Sequence, residues 1–379
     1  MQWIWQSPQW PEFSWDNTTV APALRAVQKK AGLLLGKAGE TDSQLTLDTL
    51  LQNIVASSAI EGERLNIDSV RSSLARHLGI SAEQNYPVSD RSEGLAEIMS
   101  DALLHSDHPL GTERLFRWHS WLFPENTALS SRPLLIGQLR GEEPMQVVSG
   151  SITRPKVHFE APPRAELHKL LEDFIAWFNR SAQQPGFDPW LRAAITHFWF
   201  ITLHPFDDGN GRLARALTDM ALAQADQQSI RLYAMSVAIL DNRKGYYDIL
   251  ESSQRLDGEA EEADKAPDIT SWLLWFLETL EAAMDNTLNS IERTLAKTRF
   301  WQKFQSAGLN KEQVKVLNRL LDGGDKGFED GISAAQYQKV AKVSKATATR
   351  HLADLVAKGC IEKMAGGGRS TRYRVAGVI

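Results

Sequence analysis

Residues 203–215 read LHPFDDGNGRLAR and lie between two stretches of helical apolar spacing. Pro205 and the Asp-Asp-Gly-Asn-Gly run behind it cannot continue a helix. The chain must break into a tight loop there and restart as a helix near Asn210. A glycine-rich loop feeding a helix N-terminus exposes unpaired N–H groups where the helix dipole is positive, which makes an anion site. Arg212 and Arg215, three apart, fall on one face of that helix one turn in. Two guanidiniums above such a nest suit a polyphosphate better than a single carboxylate. Asp208 is the hard oxygen ligand expected for a Mg²⁺ whose other ligands are phosphate oxygens and water. His204 opens the loop, where an imidazole can take a proton from an incoming hydroxyl. Phe206 is expected to point into the core. Alone, each part reads as packing, a turn or a solvated face. Their order over residues 204–215 assembles a base, a metal ligand, a nest and a clamp.

Helical spacing surrounds this loop and makes the fold class mainly α. It runs from Ala21 to Leu78, then over 90–105, 112–122, 163–181, 188–203, 210–226 and 268–298. The segment 145–163, MQVVSGSITRPKVHFEAPP, instead alternates β-rich residues around SGS, which predicts one hairpin in a helical domain. Trp3, Trp5, Trp10 and Trp15 crowd the N-terminus; docking into a core is the expectation and an aromatic ligand cage the alternative. The acidic stretch 255–267 reads as a solvated loop. From 331 onward the pattern is helix, short turn, helix and two strands joined by AGGGRS, a small winged helix-turn-helix. That end carries nine Lys/Arg against Asp354 and Glu362, a local balance of +7 in a chain whose net charge is −5. Three domains are expected: 1–85, with a helix over about 50–62, then a helical core over 86–300, then 301–379.

A single cysteine, Cys360, excludes a disulfide framework and a Cys-based zinc site. The N-terminus lacks the pattern of a signal peptide, and the run AAITHFWFITLH is too short and polar to span a bilayer. A cytoplasmic protein with no membrane contact is expected.

HPFDDGNGRLAR is similar to the Fic signature His-x-Phe-x-(Asp/Glu)-Gly-Asn-Gly-Arg-x-x-Arg, matching at every defined position. VSGSITRPKVHFEAPP resembles the flap hairpin of that family, and NRKGYYDILESSQ and DITSWLLWFLETL resemble the segments after its motif. The Trp-rich start and the winged helix resemble domains that accompany bacterial Fic cores. The resemblance implies a protein adenylyltransferase that binds Mg·ATP and moves AMP to a Ser, Thr or Tyr hydroxyl of a protein, itself included. It implies His204 as base and Asp208 as Mg²⁺ ligand. Gly209, Asn210 and Gly211 would bind the α/β-phosphates, Arg212 the β-phosphate region and Arg215 the γ-phosphate. On the flap, Val147, Val148, Ile152 and His158 would align the target chain by main-chain pairing. Tyr246, Tyr247 and Gln254 are adenine-side candidates, with packing as the alternative for the tyrosines. The family habit and the winged helix favour a homodimer. GTP and UTP stay open as alternatives to ATP.

The stretch ASSAIEGERL, residues 56–65, places Ser57 and Glu61 one turn apart and Gly62 directly after. It matches the family's inhibitory-helix pattern, (Ser/Thr)-x-x-x-Glu-(Gly/Asn), which implies that Glu61 pairs with Arg215 and holds it from the γ-phosphate. A different class of function is a DNA-binding transcriptional regulator that uses residues 331–379 on DNA and the Fic core as a nucleotide sensor. Arg350, Arg369 and Arg372 would meet phosphates in that case, and a dimerisation or partner-docking module is the bland reading of the same domain. The intact histidine favours the enzyme, since a sensor needs no base.

Overall fold

A computed structural model describes residues 2–38, 43–80, 86–124, 134–151, 154–225, 232–256, 265–322, 328, 331–364 and 371–376. The described chain divides into two compact units, Met1–Thr287 and Leu288–Ile379.

The first unit opens with strand β1 (Gln2–Trp3) and helices α1 (Asn17–Ala38), α2 (Ser43–Ile60), α3 (Ile67–His77), α4 (Asp90–Leu104) and α5 (Thr112–Leu122). A hairpin follows, β2 (Gln146–Ser151) and β3 (Arg154–Glu160), at the place the alternation predicts. Then come α6 (Arg164–Ser181), α7 (Pro189–Leu203), α8 (Asn210–Ala225), α9 (Met235–Asp241), α10 (Arg243–Ser253), β4 (Arg255–Leu256) and α11 (Thr270–Phe304). Every α7 residue from Trp190 to Leu203 is buried. A helix buried all round is the centre of its domain, and α7 packs along α8 with α6 against it. Asp188 caps α7 by accepting from the Trp190 and Leu191 N–H groups, with Pro189 at the first helical position.

Helix α2 packs on α8, α9 and α4. The N-terminal helices, expected as a domain of their own over 1–85, therefore share one unit with the helices behind them. Three of the four tryptophans dock: Trp3 meets Phe159 edge-on at 5.4 Å, Trp10 meets Trp199 at 6.2 Å, and Trp5 Nε1 donates to the Glu160 carbonyl at 2.7 Å, whereas Trp15 stays half-buried and bonds the Asn17 side chain at 2.8 Å. Strand β1 pairs antiparallel with β4.

The second unit begins inside α11, which runs unbroken across 287/288 and past residue 300, the expected boundary. It adds α12 (Lys311–Asp322), β5 (Ile332–Ser333), α13 (Ala334–Ala341), α14 (Lys345–Ala357), β6 (Ile361–Lys363) and β7 (Arg372–Val375). The strands form one antiparallel sheet in the order β5–β7–β6. Lys342, in the left-handed region at φ 54°, closes the turn between α13 and α14. Val316, Leu317, Ile332, Tyr337, Ala348 and Leu352 centre its core. Arg350 is exposed on α14, and Arg372 donates to the Gly331 carbonyl. Arg369 lies outside the described residues.

Candidate active site

Helix α7 ends on His204, which takes φ 49° and ψ 56°, a left-handed conformation uncommon for a residue with a Cβ. The loop behind it is braced from both sides. Phe206 is fully buried and stacks on His119 of α5 at 4.2 Å. Asn210 accepts from the Phe206 N–H at 3.0 Å and donates to the Phe206 carbonyl at 2.8 Å, so its side chain locks the loop. His119 donates through Nε2 to the Asp208 carbonyl at 3.2 Å and accepts at Nδ1 from the Gly137 N–H at 2.9 Å. Burial pushes His119 down to about 4, so it stays neutral with one donor and one acceptor. Asp207 accepts from the Leu135 N–H at 3.0 Å.

Arg140 joins the loop to the hairpin. Its Nε donates to the His204 carbonyl at 2.9 Å, its Nη2 to the Pro162 carbonyl at 2.5 Å, and its backbone N–H to the Pro205 carbonyl at 3.0 Å. His119 and Arg140 carry no periodic or motif signal in the sequence; only the fold brings them to the loop.

His204 Nδ1 lies 3.3 Å from the Ile201 carbonyl oxygen. A carbonyl only accepts, so Nδ1 carries the hydrogen and Nε2 is the basic nitrogen. Burial holds the imidazole down at about 4, with the Arg140 charge adding to the effect. The ring is therefore neutral at pH 7.

Helix α8 starts directly after this loop. Gly209 has φ +82°, and a Cβ there would come within 2.5 Å of Leu122. The Asp208 carboxylate is 58% exposed and accepts from the Gly209 N–H at 2.5 Å. Arg212 and Arg215 are 5% and 3% exposed. Arg215 donates from Nε to Ser57 Oγ at 2.8 Å, and from Nη2 to the Ser57 carbonyl at 2.9 Å and Glu61 Oε1 at 2.8 Å. Arg212 donates to Glu63 Oε2 at 2.8 Å, its guanidinium 5.1 Å from the Phe123 ring centre. Arg212 Nε and Arg215 Nη1 are buried and make no hydrogen bond among the described residues.

The Glu61 carboxylate sits against the first turn of α8, where a Cβ added at Gly211 would overlap it. Gly62, at φ +82°, ends α2, and the N–H groups of Gly62 and Glu63 turn back to the Ala59 and Ser58 carbonyls, both at 3.0 Å. Two turns earlier, Asn53 Nδ2 donates to Asp219 Oδ2 at 2.8 Å and Asn53 Oδ1 accepts from the Ser236 N–H. Burial raises Asp219 to about 7. The pairs 53 with 219, 57 with 215 and 61 with 211 set α2 antiparallel to α8, one rung per turn on each helix.

The other expected site residues divide. Val147 and Val148 are exposed, 37% and 51%, on the hairpin. His158 bridges Ser149 Oγ and Glu251 Oε2, both at 2.5 Å. Ile152 lies outside the described residues. Tyr247 is 38% exposed, its hydroxyl 3.5 Å from the Ile60 carbonyl oxygen at the end of α2. Tyr246 and Gln254, expected on the adenine side, are core residues instead. The helical period of α10 turns Tyr246 inward, where its hydroxyl bonds His197 Nε2 at 2.9 Å, and Gln254 donates to Thr202 Oγ1 at 3.0 Å.

Residues 3–80 match a domain of unknown function, DUF4172, and residues 109–222 match the Fic/DOC family. The chain is 26% identical over 170 residues to the protein adenylyltransferase fic-1 of Caenorhabditis briggsae, covering 44% of this chain and 30% of that protein. It is 31% identical over 122 residues to the uridine 5'-monophosphate transferase of Xanthomonas campestris pv. campestris (strain 8004), covering 30% and 21%. The matched stretch thus spans 30% or less of the length of these curated relatives. A Fic family protein from Desulfovibrio desulfuricans G20 shares the fold with a TM-score of 0.52 and 19% identity, covering 94% of this chain and 96% of that one. The match to the Fic/DOC family over residues 109–222 takes in His204 and both motif arginines.

Proposed function

We propose that the chain is a protein adenylyltransferase, moving AMP from ATP to a Ser, Thr or Tyr hydroxyl of a protein, itself included, and that Glu61 holds it off. The observation that carries the reading is a neutral His204 with a fixed tautomer, beside a helix start faced by two buried arginines. A base, an anion nest and guanidiniums with unspent donors are what in-line transfer at a phosphorus needs. The names of the relatives, an adenylyltransferase and a UMP transferase, support nucleotidyl transfer as the reaction class.

In this mechanism the hydroxyl oxygen attacks the α-phosphorus, the bond to the β-phosphate bridging oxygen breaks, and pyrophosphate leaves. His204 Nε2 takes the hydroxyl proton while Nδ1–H stays on the Ile201 carbonyl. The first-turn N–H groups of Gly211 and Arg212 hold the phosphates, with Arg215 for the γ-phosphate. An exposed carboxylate beside the helix start fits a hard cation, so Asp208 would hold Mg²⁺, which neutralises phosphate charge when bound. The hairpin would align the target through main-chain pairing, with Val147 and Val148 as side-chain contacts. Tyr247 would lie toward the adenine.

Labelled ATP, GTP and UTP with Mg²⁺ test this directly. Transfer of AMP to the chain or to lysate proteins, abolished by His204→Ala, is the expected result. Equal labelling by His204→Ala would overturn the base assignment.

For the second unit, the +7 balance from 331 onward and the exposed start of α14, capped by Ser344 on the Thr347 N–H, support a winged helix on duplex DNA. Binding to duplex DNA that is absent even at low salt would remove that reading.

A further inference from the structure

Glu63 stands two residues past Glu61, on the other side of Gly62. Its carboxylate is shared between guanidiniums of two helices. Oε2 accepts from Arg212 Nη1 of α8 at 2.8 Å, and Oε1 accepts from Arg91 Nη2 in the first turn of α4. An ordinary surface ion pair contributes little and implies nothing about ligands. This cluster differs because the Arg212 side chain is only 4% exposed, against 27% for Glu63 and 38% for Arg91. It is closed on the Arg212 side and open to solvent on the Arg91 side. Arg212 also keeps a buried Nε without a hydrogen bond among the described residues. Arg91 shares the first turn of α4 with Asp90 and Glu93 and pairs with Glu63.

We infer that Arg91 and Arg212 form a phosphate subsite of the nucleotide pocket, and that Glu63 occupies it as a resident anion. The inference rests on the adenylyltransferase reading and deepens it. Two carboxylates flanking one glycine satisfy two arginines one turn apart on α8, Glu61 on Arg215 and Glu63 on Arg212. A carboxylate bridging two guanidiniums presents oxygens as a phosphate does. When a nucleotide phosphate takes its place, Arg91 becomes a third guanidinium on the phosphate chain.

The test measures nucleotide binding in the Glu61→Gly background, where the neighbouring carboxylate no longer limits access. Glu63→Gln keeps the side-chain shape and removes the charge, and it should tighten ATP and tripolyphosphate binding about tenfold while leaving adenosine unchanged. Adding Arg91→Gln to Glu63→Gln should erase most of that gain. An ATP affinity within about twofold of the Glu61→Gly parent, or a gain that survives Arg91→Gln, overturns the subsite. The two readings separate cleanly. Tighter ATP binding without AMP transfer keeps the subsite and sinks the transferase. AMP transfer by Glu61→Gly with no effect of Glu63→Gln on affinity does the reverse.

Discussion

Replacing Glu61 by Gly isolates the proposed off-switch. The substitution removes one charge-assisted bond at 2.8 Å and leaves Arg215 with both of its bonds to Ser57. Such a bond is worth about 1.5–3 kcal/mol, and because the Glu61 side chain is 29% exposed the lower half of that range applies. About 2 kcal/mol corresponds to roughly a 30-fold change in an equilibrium constant. The γ-phosphate then takes over the Arg215 Nη2 donor and meets the otherwise unspent Nη1. Labelled-ATP transfer in Glu61→Gly should accordingly rise at least tenfold over the parent, with ATP binding tightened by a similar factor. Thermal unfolding gives an independent reading. Removing the carboxylate leaves a buried guanidinium less well paired, so the variant should melt lower than the parent and recover more on adding Mg·ATP. Unchanged transfer together with unchanged nucleotide affinity would refute the pairing as an inhibitory contact.

Three further outcomes follow from the same geometry. His204 is held at about 4, against an unfolded value of 6.5, so the base form persists well below pH 6.5; transfer by Glu61→Gly should hold from pH 8 to about pH 5, and an inflection near 6.5 would contradict it. Asp219 is raised from 3.8 to about 7, so its contribution to stability is complete below pH 4 and fades as pH rises through 7; Asp219→Asn should gain about 1–2 kcal/mol over the parent at pH 8 in denaturant unfolding and much less at pH 5. Arg140 acts through backbone carbonyls rather than on substrate, so Arg140→Met should cost about 1–3 kcal/mol of stability and lower kcat more than it raises KM, with Arg140→Lys partly restoring kcat.

The helices and the motif loop were legible because their signals are local. Apolar spacing over 112–122 and 188–203 places α5 and α7 within a residue of their observed ends, and the Pro-to-Gly run places the break before α8. The supports of the loop were not legible, since Arg140 and His119 reach it by bonds to backbone groups 64 and 89 positions away. Tyr246 and Tyr247 are adjacent in sequence, yet one is buried and the other 38% exposed, and only packing against α7 and α11 separates them. Glu63 sits one residue beyond the inhibitory pattern, so a motif reading stops just short of it.

The rungs between α2 and α8 also fix how the contact can be undone. Sliding α2 by one turn, about 5.4 Å, would break all three rungs together. It would strand the Asp219 carboxyl in the core without its Asn53 donor. Fraying of the tip from Ser58 to Glu61 breaks only the last rung and leaves Asn53 and Ser57 in place. The buried amide therefore works as an anchor and the glycine-ended tip as a latch. A partner that grips the tip has the cost of one unwound turn and of the Glu61–Arg215 bond to supply.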